Sequence, residues 1–431
     1  MAISDPQTRP KERLVVVIAG AGARGAYEAG ALSYILPRLR PKGLGDTIFL
    51  GTSAGAINAV LWAARAKKGL DLETVGQQVI DVWQSITQDR VFKQPLWTLP
   101  KTGAQYLAGL FGSAVSEMFR KHLPPNSLFA EISGVLDTKP LAKTATEVLQ
   151  VEQIRKNIKD GALLGVGVVA TTSPMNGSGG RSRIFIDTSI ELPNQDQESS
   201  IDFTRTSLRN EHVLASAAIP VAFPAIRVPA EGALPQGYYI DGGVRLNAPI
   251  EPAVKLGATT LLIVSSHATE YPPAPALSDD RPDALDVAAQ SIHSMLADGM
   301  IEDVRTLKRI NTMVAQAEAS GITLRARSQR AYRKIDVISV SPLNGQLSPL
   351  ATRTLNELGL WQKFNHWLLS WLLSGAGRGS GNNELLSYLL FHPTYFVGQF
   401  KLGEADARKR WEDYQRELAQ QRGGAAVEAV R

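Results

Sequence analysis

Gly51-Thr52-Ser53-Ala54-Gly55 lies where an apolar run, Thr47-Ile48-Phe49-Leu50, meets a helix-forming run from Ala54 to Ala66. Strand, tight turn and helix around G-x-S-x-G is the arrangement of a nucleophile elbow, which raises a serine hydroxyl above a sheet edge. Gly51 and Gly55 carry no Cβ, so strand and helix can close on a serine held in an unusual backbone conformation. Thr52 and Ala54 complete the elbow, and the helix that follows puts its electropositive amino end beneath Ser53. Read blandly, the same five residues are a Gly/Ser turn without chemistry.

A serine nucleophile needs a site for developing negative charge, and a second glycine loop offers one. Gly20-Ala21-Gly22-Ala23-Arg24-Gly25 follows the β-branched run Leu14–Ala19 and opens a helix. Its G-x-G-x-x-G spacing matches a dinucleotide-binding loop, and a nucleotide-binding protein is the rival reading from another class. That reading requires an acidic residue at the carboxyl end of the next strand. Gly51-Thr52-Ser53 stands there, and Asp46 precedes the strand. The alternative uses the same backbone N–H groups as an oxyanion hole beside Ser53, provided the first two strands are neighbours. Arg24 adds positive charge there, unless it is spent in an ordinary salt bridge.

The proton acceptor has two candidates. Among six histidines, only His267, just beyond a strand ending at Ser265, occupies a position like that of a hydrolase histidine. With it, the chain would be an ordinary Ser-His-Asp esterase or thioesterase. The other candidate is Asp241, at a strand end and followed by Gly242 and Gly243. A carboxylate is a weak base in water, but removed from water and pressed against a hydroxyl it can take the proton directly.

The rest of the chain must position these groups. Its 431 residues are 44% hydrophobic and 20% charged, enough for a large core, and the net charge of +5 does not imply nucleic acid. The absence of cysteine excludes disulfides, thiolate catalysis and cysteine zinc sites. Met1 to Arg13 is polar with two prolines, unlike a secretory signal, and no run approaches the roughly 18 apolar residues of a membrane span. A cytoplasmic protein with peripheral membrane contact is the expectation. Further strands are expected at 163–172, 183–187, 238–241, 260–265 and 335–340, with residues 189–207 as loop. A small-residue helix runs from His212 towards Pro220 and Pro224, and a long helix covers about 284–319. Residues 71–160 read as a helical insertion that is either a packed layer or a lid. Residues 361–372, with Trp361, Phe364, Trp367 and Trp371 on one face, read as a packed helix or a membrane-facing one. With no internal repeat, the boundaries are a flexible N-terminus at 1–12 and one α/β domain at 13–345. A helical region at 346–405, packed on that domain, and a charged, fraying tail at 406–431 complete the division.

Taken together and in this order, Gly20–Gly25, Gly51–Gly55 and Asp241-Gly242-Gly243 resemble the three signature motifs of the patatin-like phospholipase family. The stretches 215–224 and 385–391 also look familial, so the resemblance covers roughly residues 13–405. One departure is Ala21, where the family carries glycine; an alanine keeps its N–H and fits unless the position needs a positive φ. The resemblance implies a three-layer α/β/α sandwich with a mostly parallel central sheet. It also implies a serine acyl hydrolase with a Ser53–Asp241 dyad, an oxyanion hole in the 20–25 loop, no metal or organic cofactor, and phospholipids or other lipid esters as substrate.

Overall fold

The computed structural model describes residues 12–93, 136–173, 179–194, 199–220, 222–232, 236–271, 284–325, 331–343, 345–358 and 381–428. At its centre is β1 (Leu14–Ile18), whose five side chains are all fully buried. Leu14, Val16 and Ile18 face one apolar cluster, while Val15, Val17 and Ala19 face a second on the other side of the sheet. That alternation is why the run is unbroken in sequence, since a central strand is covered on both faces. Each such side chain contributes about 1.5–3 kcal/mol by burial, and a one-residue slip would exchange every side chain between the two cores.

Around β1, β2 (Thr47–Thr52), β3 (Gly165–Thr172), β4 (Ser182–Thr188) and β5 (Ile201–Arg205) extend to one side. Two more strands, β8 (Thr260–Val264) and β9 (Asp336–Val340), lie on the other, giving the order β5-β4-β3-β2-β1-β8-β9. A small β6 (Ile226–Val228) pairs with β7 (Gly237–Asp241), and β7 joins the end of β3. Most pairings are parallel; β4 and β7 run antiparallel to β3, and β6 antiparallel to β7.

One helical layer contains α1 (Gly25–Leu39), α2 (Ala54–Arg65), α3 (Leu72–Gln84), α4 (Gln88–Val91), α5 (Lys139–Val148) and α6 (Glu152–Lys159). It also takes in α7 (Asn210–Ser216) and, from the C-terminal part, α10 (Leu347–Glu357), α11 (Gly381–Leu389) and α12 (Pro393–Glu428). Across the sheet are α8 (Ile250–Lys255) and the 36-residue α9 (Ala284–Ala319). Helices thus cover both faces of a mostly parallel sheet, the three-layer class expected from the sequence.

Three local expectations change. Residues 201–205 form a strand, not a loop: Ile201 and Phe203 pack on the core, β4 supplies the ladder, and Arg181 and Arg183 neutralise the buried Asp202. β6 was not anticipated, because three residues of an edge hairpin show no period of their own. The small-residue helix is shorter than expected and stops at Ser216, ahead of Ile219-Pro220, where the residue before proline resists helical geometry. Beyond Glu404, α12 continues as helix through Glu428, with Ala407 buried and Trp411 and Tyr414 against the core. Residues 94–135 of the 71–160 insertion, and the aromatic face at 361–372, lie outside the described residues.

Candidate active site

Strand register alone brings two of the motifs together. Ile18 is paired with Gly51, so the loop leaving β1 and the turn leaving β2 emerge side by side at the carboxyl edge of the sheet. On the other flank Thr52 pairs with Val169, and Asp241 with Ala170, so β7 delivers its last residue beside the same turn.

Ser53 stands at φ 55°, ψ −125°, one of two non-glycine residues with positive φ among those described. Such a conformation costs on the order of 1–3 kcal/mol and survives only where its surroundings enforce it. The enforcement is visible. A Cβ on Gly51 would strike the Gly55 carbonyl, and one on Gly55 would strike the carbonyls of Ile18 and Ala19. The Ser53 N–H donates to Ser216 Oγ at 3.0 Å, and Ser216 Oγ donates to the Val169 carbonyl. Ser53 and Asp241 are each only 5% exposed.

Asp241 receives the Gly243 N–H on Oδ1 at 2.7 Å, and the Ser53 hydroxyl is near enough to act on its carboxyl. Burial pushes its carboxyl up to about 6, against the opposing pull of the Ser53 hydroxyl and the Gly243 N–H. It is therefore mostly ionised at neutral pH, yet far more basic than a carboxylate in water, which suits proton acceptance. A Cβ on Gly242 would strike the Val169 carbonyl, so the turn after Asp241 can lie tight against β3.

The glycine loop is a 3-10 turn, Gly22–Arg24, running into α1. Ala21 has φ −163°, extended backbone that alanine adopts freely, so its substitution for glycine is without strain. Gly22 does need to be glycine: φ is +55°, and a Cβ would stand 2.6 Å from the Tyr388 carbonyl oxygen. The loop's N–H groups divide into two sets. Gly20 donates to Asn247 Oδ1 at 2.9 Å, Arg24 to the Ala21 carbonyl, and Gly25 to the Gly22 carbonyl. Those of Ala21, Gly22 and Ala23 have no partner among the described residues.

The Arg24 side chain takes the ordinary explanation. It is 3% exposed and ion-paired with Glu384 at 2.6 Å, with further bonds to Ser387, Tyr388 and Ser348. His267 belongs to this same cluster. Its Nε2 is 2.8 Å from the Tyr388 hydroxyl, and its ring lies against Tyr388 and His293. Burial, then the Arg24 charge and His293, holds it well below the usual histidine range, so it is neutral. The Ser53 hydroxyl thus acts on the Asp241 carboxyl, while His267 Nε2 is engaged with Tyr388.

Sequence reasoning missed the braces. Asn247 joins the glycine loop to α9 by accepting from Gly20 and donating to the Leu296 carbonyl at 2.8 Å. Asn58 donates to the Gly25 carbonyl and to Glu28, and accepts from Trp83 Nε1 at 2.7 Å, tying α1, α2 and α3. Glu28 is fully buried, which raises its carboxyl well above the usual range, and its Oε2 accepts from Asn58. Asn247 and Ser216 lie near recognisable motifs and could have been suspected; nothing local marks Asn58 or Glu384. Among the described residues no group of His, Asp and Glu is arranged to hold a metal ion. Nor is any described helix long and apolar enough to cross a membrane.

Residues 16–254 match the family model described as patatin-like phospholipase. Among solved structures, VipD from Legionella pneumophila is 15% identical, with 78% of this chain and 62% of that chain covered and a TM-score of 0.30. Human GIVD cytosolic phospholipase A2 is 10% identical, with 93% and 60% covered and a TM-score of 0.33. ExoU from Pseudomonas aeruginosa, in its complex with SpcU, is 12% identical, with 88% and 75% covered and a TM-score of 0.25. The chain spans 62% and 60% of the lengths of the first two, and all three likenesses are too remote to bear on the chemistry. No curated protein matches the sequence.

Proposed function

Because the chain belongs to the patatin-like phospholipase family, we propose that it is a serine acyl hydrolase acting on phospholipids or other lipid esters through a Ser53–Asp241 dyad. The observation that carries this reading is the pairing of a serine at φ 55° with a buried carboxyl raised to about 6.

In the proposed cycle Ser53 Oγ attacks the acyl carbonyl carbon as Asp241 takes the hydroxyl proton. The carbonyl oxygen becomes an oxyanion, bound by the N–H groups of Ala21, Gly22 and Ala23, the members of the 20–25 loop left unpaired within it. Collapse of the tetrahedral adduct breaks the ester C–O bond. Asp241 returns its proton to the departing alkoxide, leaving an acyl ester on Ser53. Water then attacks that ester with Asp241 again accepting the proton, and the second collapse releases the carboxylic acid and restores the Ser53 hydroxyl. Every proton is moved by one carboxyl, so the scheme calls for no histidine and no metal.

Lipid substrates imply contact with a membrane surface during turnover, as a peripheral protein. The test is hydrolysis of a short-chain chromogenic ester together with labelling by a fluorophosphonate probe. Wild type should react with both, Ser53→Ala with neither, and Asp241→Asn should lose turnover. Wild-type rates in both variants would remove the dyad. Loss of activity in His267→Ala alone would instead favour the ordinary triad.

A further inference from the structure

The glycine loop is held from behind by a part of the chain that lies outside the family-matched residues 16–254. Three contacts from α11 and α12 converge on residues 22–27. Tyr388 sets its carbonyl against Gly22, where any Cβ would collide. Gln399, fully buried, donates from Nε2 to the Ala23 carbonyl at 3.0 Å and accepts the Tyr27 N–H on Oε1 at 3.1 Å. Glu384 pairs with Arg24, whose guanidinium also donates to Ser387 at 2.9 Å and lies 4.0 Å over the Tyr388 ring.

These contacts address the main chain or pull it by its one long side chain. A peptide group is planar, so fixing the Ala23 carbonyl also fixes the Arg24 N–H across the same bond, which closes the turn by donating to the Ala21 carbonyl and so holds the shape of the loop between them. Arg24 itself is turned away from solvent and neutralised by Glu384. Burial opposes that carboxylate, but the His293 hydrogen bond and the Arg24 charge outweigh it and hold Glu384 well below the usual range. Arg24 therefore works as a tether for the loop, and its charge is not presented to the oxyanion. A glycine-containing loop without such restraint would sample many conformations, and N–H groups stabilise an oxyanion only when already aimed.

We propose that Gln399, Glu384 and Tyr388 are positioning residues that clamp the 20–25 loop in the shape that presents its N–H groups to an oxyanion at Ser53. The proposal rests on the acyl-transfer reading above. It makes the C-terminal helices part of the working site, although none of their side chains meets the reacting atoms.

The test compares wild type, Gln399→Met, Glu384→Gln and Ser53→Ala as full-length chains, with turnover expressed per fluorophosphonate-labelled site. Gln399→Met keeps length and burial but loses both hydrogen bonds; Glu384→Gln keeps the shape and removes the charge, and stands in if the first fails to fold. Removing one oxyanion donor lowers kcat by roughly 10²–10³-fold, so loosening the loop should lower it by about 10–100-fold. KM on a soluble ester should stay within about threefold, because ground-state binding is untouched. The acid limb of the pH–rate profile should not move, since Asp241 is unaltered. Hydrogen exchange in residues 20–27 should speed by about tenfold or more while residues 48–60 are unchanged, marking a local loosening. Glu384→Asp should recover part of the loss. Turnover per labelled site within twofold of wild type, with unchanged exchange in 20–27, overturns the clamp alone when Ser53→Ala is inactive. A fully active Ser53→Ala overturns the acyl-transfer reading and the clamp's purpose with it.

Discussion

Replacing Asp241 with asparagine separates catalysis from stability, and the two should move in opposite directions. In the folded chain the Asp241 carboxyl is raised from 3.8 to about 6 by burial. A group whose folded pKa is raised favours the fold below its unfolded value, and that favour is lost as pH rises through the folded value. Two pH units at 1.36 kcal/mol each make ionised Asp241 a burden of about 3 kcal/mol above pH 7. Asparagine never ionises, and its Oδ1 can still accept the Gly243 N–H while its Nδ2 donates to Ser53. Asp241→Asn should therefore be more stable than wild type by up to about 3 kcal/mol at pH 8, with the gain shrinking to under ~1 kcal/mol at pH 4. Losing the base should meanwhile lower turnover by roughly 10²–10⁴-fold. The assay is chemical denaturation of both proteins at pH 4 and pH 8, alongside ester hydrolysis. A stability difference that is the same at both pH values refutes the raised carboxyl. Preserved turnover refutes its role as base.

Other outcomes follow from the same geometry. The pH–rate profile for a soluble ester should show an acid limb centred near the Asp241 value of about 6, with activity falling below it as the base is protonated; a flat profile from pH 5 to 8 would contradict it. His267→Ala should destabilise the Tyr388 cluster yet keep turnover per labelled site within about tenfold of wild type, whereas loss of a true general base would cost roughly 10²–10⁴-fold. Ser216→Ala strands the buried Ser53 N–H and should cost about 1–3 kcal/mol of stability, read as a lower denaturation midpoint, together with a fall in kcat. Gly22→Ala forces a Cβ onto the Tyr388 carbonyl at a positive φ, and the expected result is poor folding or loss of probe labelling.

The motifs were legible in the sequence because each is local. Glycine spacing around Ser53 reports a steric requirement of five consecutive residues, and the unbroken β-branched run before Gly20 reports a strand buried on both faces. The long helix at 284–319 and most strands were legible for the same reason, since period and punctuation act over neighbouring residues. Where local pattern was weak, reading failed. Residues 201–205 look polar, and become a strand only because β4 offers a ladder and two arginines offset Asp202.

By itself the sequence determined that a strained serine, a glycine loop and a glycine-flanked aspartate occur in a fixed order on an α/β scaffold. It could not decide between Asp241 and His267 as partner of Ser53, nor say whether Arg24 faces the site. The tertiary structure bears on both. Register places the ends of β1, β2 and β7 at one sheet edge, while Tyr388 engages His267 and Glu384 draws Arg24 away behind the loop. The physical reason is range: sterics and periodicity act between neighbours in the chain. The hydrogen bonds and ion pairs that assign partners here join residues up to 376 positions apart, with nothing in either local stretch to announce the other.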